Sequence, residues 1–118
     1  MNLIEKIDNR SAQIGVIGLG YVGLPLAMEF VKAGFQVTGI DTDESKINSI
    51  NNGKNYIADI NDKDLKSAVD IGLLKGSNDF NIVKNLDAIS ICVPTPLNKE
   101  KNPDMIILLT NTSQIITN

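Results

Sequence analysis

Gln13-Ile14-Gly15-Val16-Ile17-Gly18-Leu19-Gly20-Tyr21-Val22-Gly23 is the stretch that decides the fold. Gln13 to Ile17 reads as a short apolar strand, and an amphipathic helix begins near Val22, so Gly18, Gly20 and Gly23 fall between strand and helix. That context gives each glycine a separate duty. Gly18 permits a tight strand-to-helix turn, Gly20 lets a ligand touch bare backbone, and Gly23 allows the helix to pack closely on the strand. The unpaired N–H groups and the positive end of the helix dipole collect at the same place, a setting suited to the diphosphate of a dinucleotide.

Outward from this loop, the helix runs from about Val22 to Ala33, with Leu24, Ala27, Met28 and Val31 on one apolar face. Pro25 fits its first turn, and Gly34 follows as a stop. Phe35 to Ile40 reads as a second strand. Asp41-Thr42-Asp43 comes next, with Asp43 placed to cap a helix from Glu44 to about Asn51. Beyond a polar connection through Tyr56 and Ile57, a helix is expected around Asp62 to Ile71, turning Leu65, Ala68 and Val69 inward and closed by Gly72. Lys75 to Phe80 reads as a short third strand, Asn81 to Leu86 as a helical turn or two, and Ala88 to Val93 as a fourth strand buried on both faces. Pro94-Thr95-Pro96 breaks that strand. After a lysine-containing loop, Asp104 is expected to cap a last helix from Met105 to Ile116.

Alternation of strand and helix in this order predicts an α/β fold, a Rossmann-like parallel sheet with helices on both faces and strands ordered 3-2-1-4. Such folds usually continue to six strands, so residues 1–118 read as an incomplete N-terminal domain without an internal boundary. The outer edge of the fourth strand is then expected to lack its neighbour, favouring self-association or mobility in residues 105–118.

Composition narrows the function. The chain has 118 residues, of which 42% are hydrophobic and 21% charged, ordinary proportions for a globular domain. Its net charge of -3 and its single arginine, Arg10, argue against a nucleic-acid partner. Met1 to Asp8 alternates acids and bases without a signal-peptide core and reads as a short surface helix, and no apolar run approaches a membrane span. With one cysteine, Cys92, in an apolar strand, no internal disulfide can form, and a cytoplasmic setting is expected.

Several residues are candidates for holding the dinucleotide. Asp41 stands at the end of the second strand, 18 positions after Gly23, where a carboxylate accepts both ribose hydroxyls of an adenosine half and disfavours a 2′-phosphate. Its alternative role is a loop or capping carboxylate. Lys46 falls beside the same ribose or is simply solvated. Val93, Pro94 and Thr95 lie at the far wall of the crevice where strand order reverses; Thr95 either hydrogen-bonds the cofactor near its nicotinamide half or belongs to a rigid exit turn. The pairs Asp41/Asp43 and Asp62/Asp64 read as caps and surface groups, since the chain has no histidine to complete a transition-metal site. No catalytic residue is visible.

The string Ile17-Gly18-Leu19-Gly20-Tyr21-Val22-Gly23-Leu24-Pro25-Leu26-Ala27, then Gly39-Ile40-Asp41, then Cys92-Val93-Pro94-Thr95-Pro96-Leu97, resembles the N-terminal domain of the UDP-glucose/GDP-mannose dehydrogenase family. Leu3-Ile4-Glu5-Lys6-Ile7, the Tyr56-Ile57 pair and Pro103-Asp104 are more similar to its UDP-N-acetylhexosamine branch. The resemblance implies oxidation of the C6 alcohol of a nucleotide sugar, UDP-N-acetylglucosamine foremost, to a carboxylate by two hydride transfers to NAD, for surface polysaccharide synthesis. It places cofactor contacts on Gly18, Gly20, Tyr21, Val22, Gly23, Asp41, Lys46 and Thr95. Lys46 stands where many relatives carry arginine, and lysine lacks the planar guanidinium for stacking on adenine. The family's catalytic cysteine motif, dimerising helix and sugar-nucleotide domain are absent from these residues. The implied whole protein is a homodimer, and this chain is its inactive NAD-binding portion. A free-standing dinucleotide-sensing or interaction module, and the cofactor domain of another hydroxy-acid or nucleotide-sugar dehydrogenase, remain alternatives.

Overall fold

The computed structural model describes residues 2–94, 103–109 and 114–117. Their order is α1 (Leu3–Asp8), β1 (Gln13–Ile17), α2 (Gly23–Lys32), β2 (Gln36–Ile40), α3 (Glu44–Asn51), α4 (Asp62–Asp70), β3 (Leu74–Ser77), a 3-10 helix (Phe80–Asn85), β4 (Ala88–Pro94), β5 (Pro103–Leu109) and β6 (Gln114–Thr117). Among the described residues the strands form one sheet in the order β3-β2-β1-β4-β5-β6. The first four are parallel, as expected, with Ile17 of β1 level with Ile40 of β2 on one side and Ile91 of β4 on the other. The carboxyl ends of the three central strands therefore come out together. There the chain order also reverses, β2 and β3 lying to one side of β1 and β4 to the other.

Alternation along each strand divides the core between the two faces of the sheet. Ile14, Val16, Val37 and Cys92 join Leu24, Ala27, Met28 and Val31 of α2, Ile47 and Ile50 of α3, and Leu65 and Ala68 of α4 in the larger cluster. The four positions of α2 anticipated from helical spacing are all buried. Ile40, Ile89 and Leu86 form a smaller cluster on the other face, against Ile17, Ile91 and the Ile82 and Val83 side chains of the 3-10 helix. β4 is thus buried on both faces. Gly34 and Gly72 end α2 and α4 with φ of +98° and +84°, a backbone region that glycine enters without a Cβ penalty.

Helix α1 has no buried residue, and a polar latch docks it. Lys6 Nζ donates to Asp87 Oδ1 at 2.8 Å, and Asp87 Oδ2 accepts the Gln13 N–H at 2.8 Å, tying the helix to the start of β1.

Two expectations are corrected. The third strand ends at Ser77 rather than Phe80, because Asp79 accepts the Asn81 N–H and starts the 3-10 turn. The helix expected from Met105 to Ile116 is instead a pair of antiparallel strands, β5 on β4 and β6 on β5, with Ser90 opposite Ile107 and Ile107 opposite Ile116. Ile106, Ile107, Ile115, Ile116 and Thr117 are β-branched and favour a strand, and β5 supplies hydrogen-bonding partners for an outer edge of β4 that a helix would leave bare. The bare edge anticipated on β4 is therefore covered, and β6 is the outermost described strand on that side. Among the described residues no helix is long and apolar enough to cross a membrane.

Candidate dinucleotide site

The glycine loop sits where the central strands end. Gly18 takes φ +92° and donates its N–H to the Ile40 carbonyl at 2.8 Å, which carries β1 one residue further along β2 before the turn. Leu19 then plunges into the core, fully buried over Gly39, where a Cβ would stand 2.8 Å from Leu19 Cδ2. A side chain at position 39 would force the buried Leu19 side chain to shift. A Cβ on Gly23 would overlap the Gly18 carbonyl oxygen, so the first turn of α2 can close onto the loop only with glycine there. A Cβ on Gly20, by contrast, would meet nothing within 4 Å. Gly20 borders open space, and the three glycines differ as their sequence roles require.

The amino end of α2 is unlike the others. Asn2, Asp43, Asn61 and Asp79 each accept a backbone N–H at the start of their own helix. At Val22, which precedes α2, no side chain caps, and no acid occupies the first turn. The Leu24 N–H is taken by the Gly20 carbonyl at 3.2 Å and Pro25 has none, so the Gly23 N–H and the partial positive charge of the helix end are what this turn offers an anionic group. Tyr21, 87% exposed, and Val22 stand at the surface beside them.

Asp41 is held in place by the backbone. Its Oδ2 accepts the Leu19 N–H at 2.9 Å and its Oδ1 accepts the Asp43 N–H at 2.9 Å, so the half-exposed carboxylate is joined directly to the glycine loop. Each oxygen retains acceptor capacity for a ribose hydroxyl. The structure shows Asp41 in its loop-organising role, just past the carboxyl end of β2. Asp43 caps α3 through Ser45, whose hydroxyl and N–H hold its carboxyl below the usual carboxylate range. Lys46 lies in the first turn of α3, near enough to Asp43 to add to that lowering.

On the far side of β1, Cys92 of β4 stands 3.5 Å from the Cβ position of Gly23, so β4 reaches the loop. Val93 and Pro94 follow it, beyond the level of Ile17. Thr95 lies outside the described residues. The structure thus gathers Gly18, Gly20, Tyr21, Val22, Gly23 and Asp41 at one sheet end, with Val93 and Pro94 on its other flank and Lys46 on the neighbouring helix. Cys92 is buried, and desolvation pushes its thiol above the ordinary 9.0, the character of a core residue rather than a nucleophile.

One participant escaped the sequence reading. The Tyr56 hydroxyl donates to the Leu19 carbonyl at 2.6 Å, reaching the glycine loop from a connection 37 residues away. A tyrosine within a polar connection was the available signal, but nothing in the sequence gave its partner.

The sequence matches the model of the UDP-glucose/GDP-mannose dehydrogenase family, NAD binding domain, over residues 12–118. It is 38% identical over 97 residues to UDP-N-acetyl-D-glucosamine 6-dehydrogenase of Salmonella typhi, covering 82% of this chain and 22% of that protein. To UDP-N-acetyl-D-mannosamine dehydrogenase of Pyrococcus horikoshii it is 37% identical over 97 residues, 81% of this chain and 23% of the relative. Among solved structures, GDP-mannose dehydrogenase of Pseudomonas aeruginosa, determined as a ternary complex, superposes with a TM-score of 0.67 at 36% identity, covering 77% of this chain and 21% of that one. The chain therefore spans about a fifth of the length of these relatives. Sequence motif, sheet order and site geometry agree with these matches, and the chain belongs to the UDP-glucose/GDP-mannose dehydrogenase family, as its NAD-binding domain.

Proposed function

We propose that the chain is the cofactor-holding portion of a nucleotide-sugar 6-dehydrogenase that converts the C6 alcohol of a UDP-N-acetylhexosamine to a carboxylate. The observation that carries this reading is the junction of Leu19 and Asp41. A single backbone hydrogen bond couples the carboxylate that would accept the ribose hydroxyls to the loop that would cradle the diphosphate, at an uncapped helix start. The open space at Gly20 and the overlap that any side chain at Gly23 would cause fit a dinucleotide lying across the loop.

In this arrangement Asp41 orients the adenosine ribose, and the backbone around Gly20, Tyr21 and Val22 receives the diphosphate. Val93, Pro94 and Thr95 would flank the nicotinamide half. NAD, when bound, supplies the hydride acceptor for both oxidation steps. The groups that attack and deprotonate the sugar would lie outside these residues, as would the sugar-nucleotide domain and the homodimer contacts, because buried Cys92 has neither the exposure nor the lowered pKa of a nucleophile.

The relatives' names supply the sugar class, and Leu3 to Ile7, the Tyr56-Ile57 pair and Pro103-Asp104 are the residues whose resemblance favours the N-acetylhexosamine branch. Calorimetry tests the reading: the 118-residue chain binds NAD, and with NAD and UDP-N-acetylglucosamine it accumulates no NADH. Absence of NAD binding refutes the cofactor role. NADH formation by this chain alone refutes the division of labour.

A further inference from the structure

We propose that Tyr56 is a positioning residue for the diphosphate of the dinucleotide: by donating to the Leu19 carbonyl it fixes the Leu19–Gly20 peptide plane and hence the direction of the Gly20 N–H. The inference rests on the NAD-binding reading above. It adds to that reading a residue from outside the glycine loop, on the connection between α3 and α4.

The peptide unit is planar, and among the described residues none is cis, so the Leu19 carbonyl and the Gly20 N–H point in opposite directions. Whatever holds the carbonyl aims the amide. Leu19 itself is fixed on its amino side, its N–H bound by Asp41 and its side chain buried over Gly39. Its carboxyl side has no such restraint from the loop. Gly20 follows, free of Cβ contacts and able to accept either peptide orientation at little cost. The Leu19–Gly20 peptide is therefore where the loop would flip, and the Tyr56 hydroxyl meets its carbonyl at 2.6 Å.

The tyrosine is itself well supported. Asn55 Nδ2 donates to the Ile57 and Ile60 carbonyls at 2.9 and 2.6 Å, and Asn55 Oδ1 accepts the Ile57 N–H at 2.9 Å, stapling the segment into a turn. Ile57 anchors that turn in the core, and the Tyr56 ring packs against the same cluster. Burial, with Asp41 and then Asp43 nearby, raises the phenol far above its usual range, so the hydroxyl stays a donor throughout the neutral range.

Tyr56→Phe keeps the ring and removes the donor. In calorimetry its affinities for NAD and for ADP-ribose fall alike, about five- to tenfold, the worth of roughly one hydrogen bond. In the ligand-free chain the Gly20 amide resonance of the variant shifts or broadens as the peptide samples both orientations. A purely structural tyrosine would lower the urea midpoint while leaving both readouts unchanged at low temperature. Unchanged affinities, an unchanged Gly20 resonance, or a loss confined to NAD and not ADP-ribose overturns the proposal. If the wild-type chain binds neither ligand, the cofactor reading falls and the positioning role falls with it; an unaltered Gly20 resonance beside normal wild-type binding overturns the positioning role alone.

Discussion

Replacing Asp41 by asparagine tests the site most directly, because the magnitude follows from geometry. Its two oxygens are pinned by the N–H groups of Leu19 and Asp43, both at 2.9 Å, so the carboxylate cannot swing away from an incoming 2′-phosphate. Two unit charges about 4 Å apart repel by about 1 kcal/mol in bulk water and about 4 kcal/mol at an effective dielectric near 20. Asp41 is half-exposed and falls between these limits, which corresponds to a preference for NAD over NADP of about five- to a thousandfold. Salt weakens this little, since 4 Å is well inside the Debye length of about 10 Å at 0.1 M. Asparagine removes the charge and also one of the two acceptor oxygens, leaving either the Leu19 or the Asp43 N–H facing an NH2 group. NAD binding therefore weakens, by about tenfold for one lost hydrogen bond near the ligand, while NADP recovers the repulsion. Calorimetric titration of both cofactors into wild type and Asp41→Asn reads the ratio of dissociation constants, expected to narrow in the variant. Equal binding of the two cofactors by the wild type, or an unchanged ratio in the variant, refutes the reasoning.

Gly23→Ala drives a methyl into the Gly18 carbonyl; it should cost about 1–3 kcal/mol in urea denaturation and abolish measurable NAD binding, and a wild-type affinity would show that α2 can retreat without harm. Asp87→Ala removes the acceptor of both Lys6 and the Gln13 N–H beneath a side chain only 7% exposed, so about 3 kcal/mol of stability should go, seen as a lower urea midpoint with cofactor affinity retained. Alkaline pH should destabilise the fold: burial raises the Cys92 thiol above 9.0 and the Tyr56 phenol above 10.0, so the folded chain holds these protons more tightly than the unfolded one. Their contribution is complete below pH 9 and is lost as pH rises beyond it, and Cys92→Ala should flatten the first part of the fall in the urea midpoint between pH 8 and 10.

What the sequence disclosed depended on whether a signal was local. The strand, glycine loop and helix from Gln13 to Lys32 were legible because the closure of Gly23 onto the Gly18 carbonyl lies within the loop itself, and the Leu24, Ala27, Met28, Val31 face repeats at the helical period. Asp43 as the cap of α3 was legible for the same reason, its partner Ser45 lying two residues on. Asp41 was legible only by analogy of position. That its carboxylate binds the Leu19 N–H requires β1 and β2 to be adjacent and level, a fact of sheet register rather than of spacing.

Non-local demands explain the failures. From Met105 to Ile116, helical capping by Asp104 is a local argument, while the open edge of β4 is a requirement set by a strand more than ten residues earlier. The β-branched residues there leave helix propensity too weak to resist it. Tyr56 is the sharper case. Its hydroxyl finds a backbone carbonyl, and a carbonyl occurs at every residue, so no side-chain pattern at position 19 could announce the contact. The consequence reaches beyond this bond: Asp41, at the end of the adjacent strand, fixes the Leu19 N–H, but the orientation of the following peptide is left to a residue from yet another part of the chain. A glycine-rich loop that is permissive enough to let a diphosphate approach is for that reason unable to orient itself. The restraint must come from outside the motif, and motif reading alone passes over the residue that provides it.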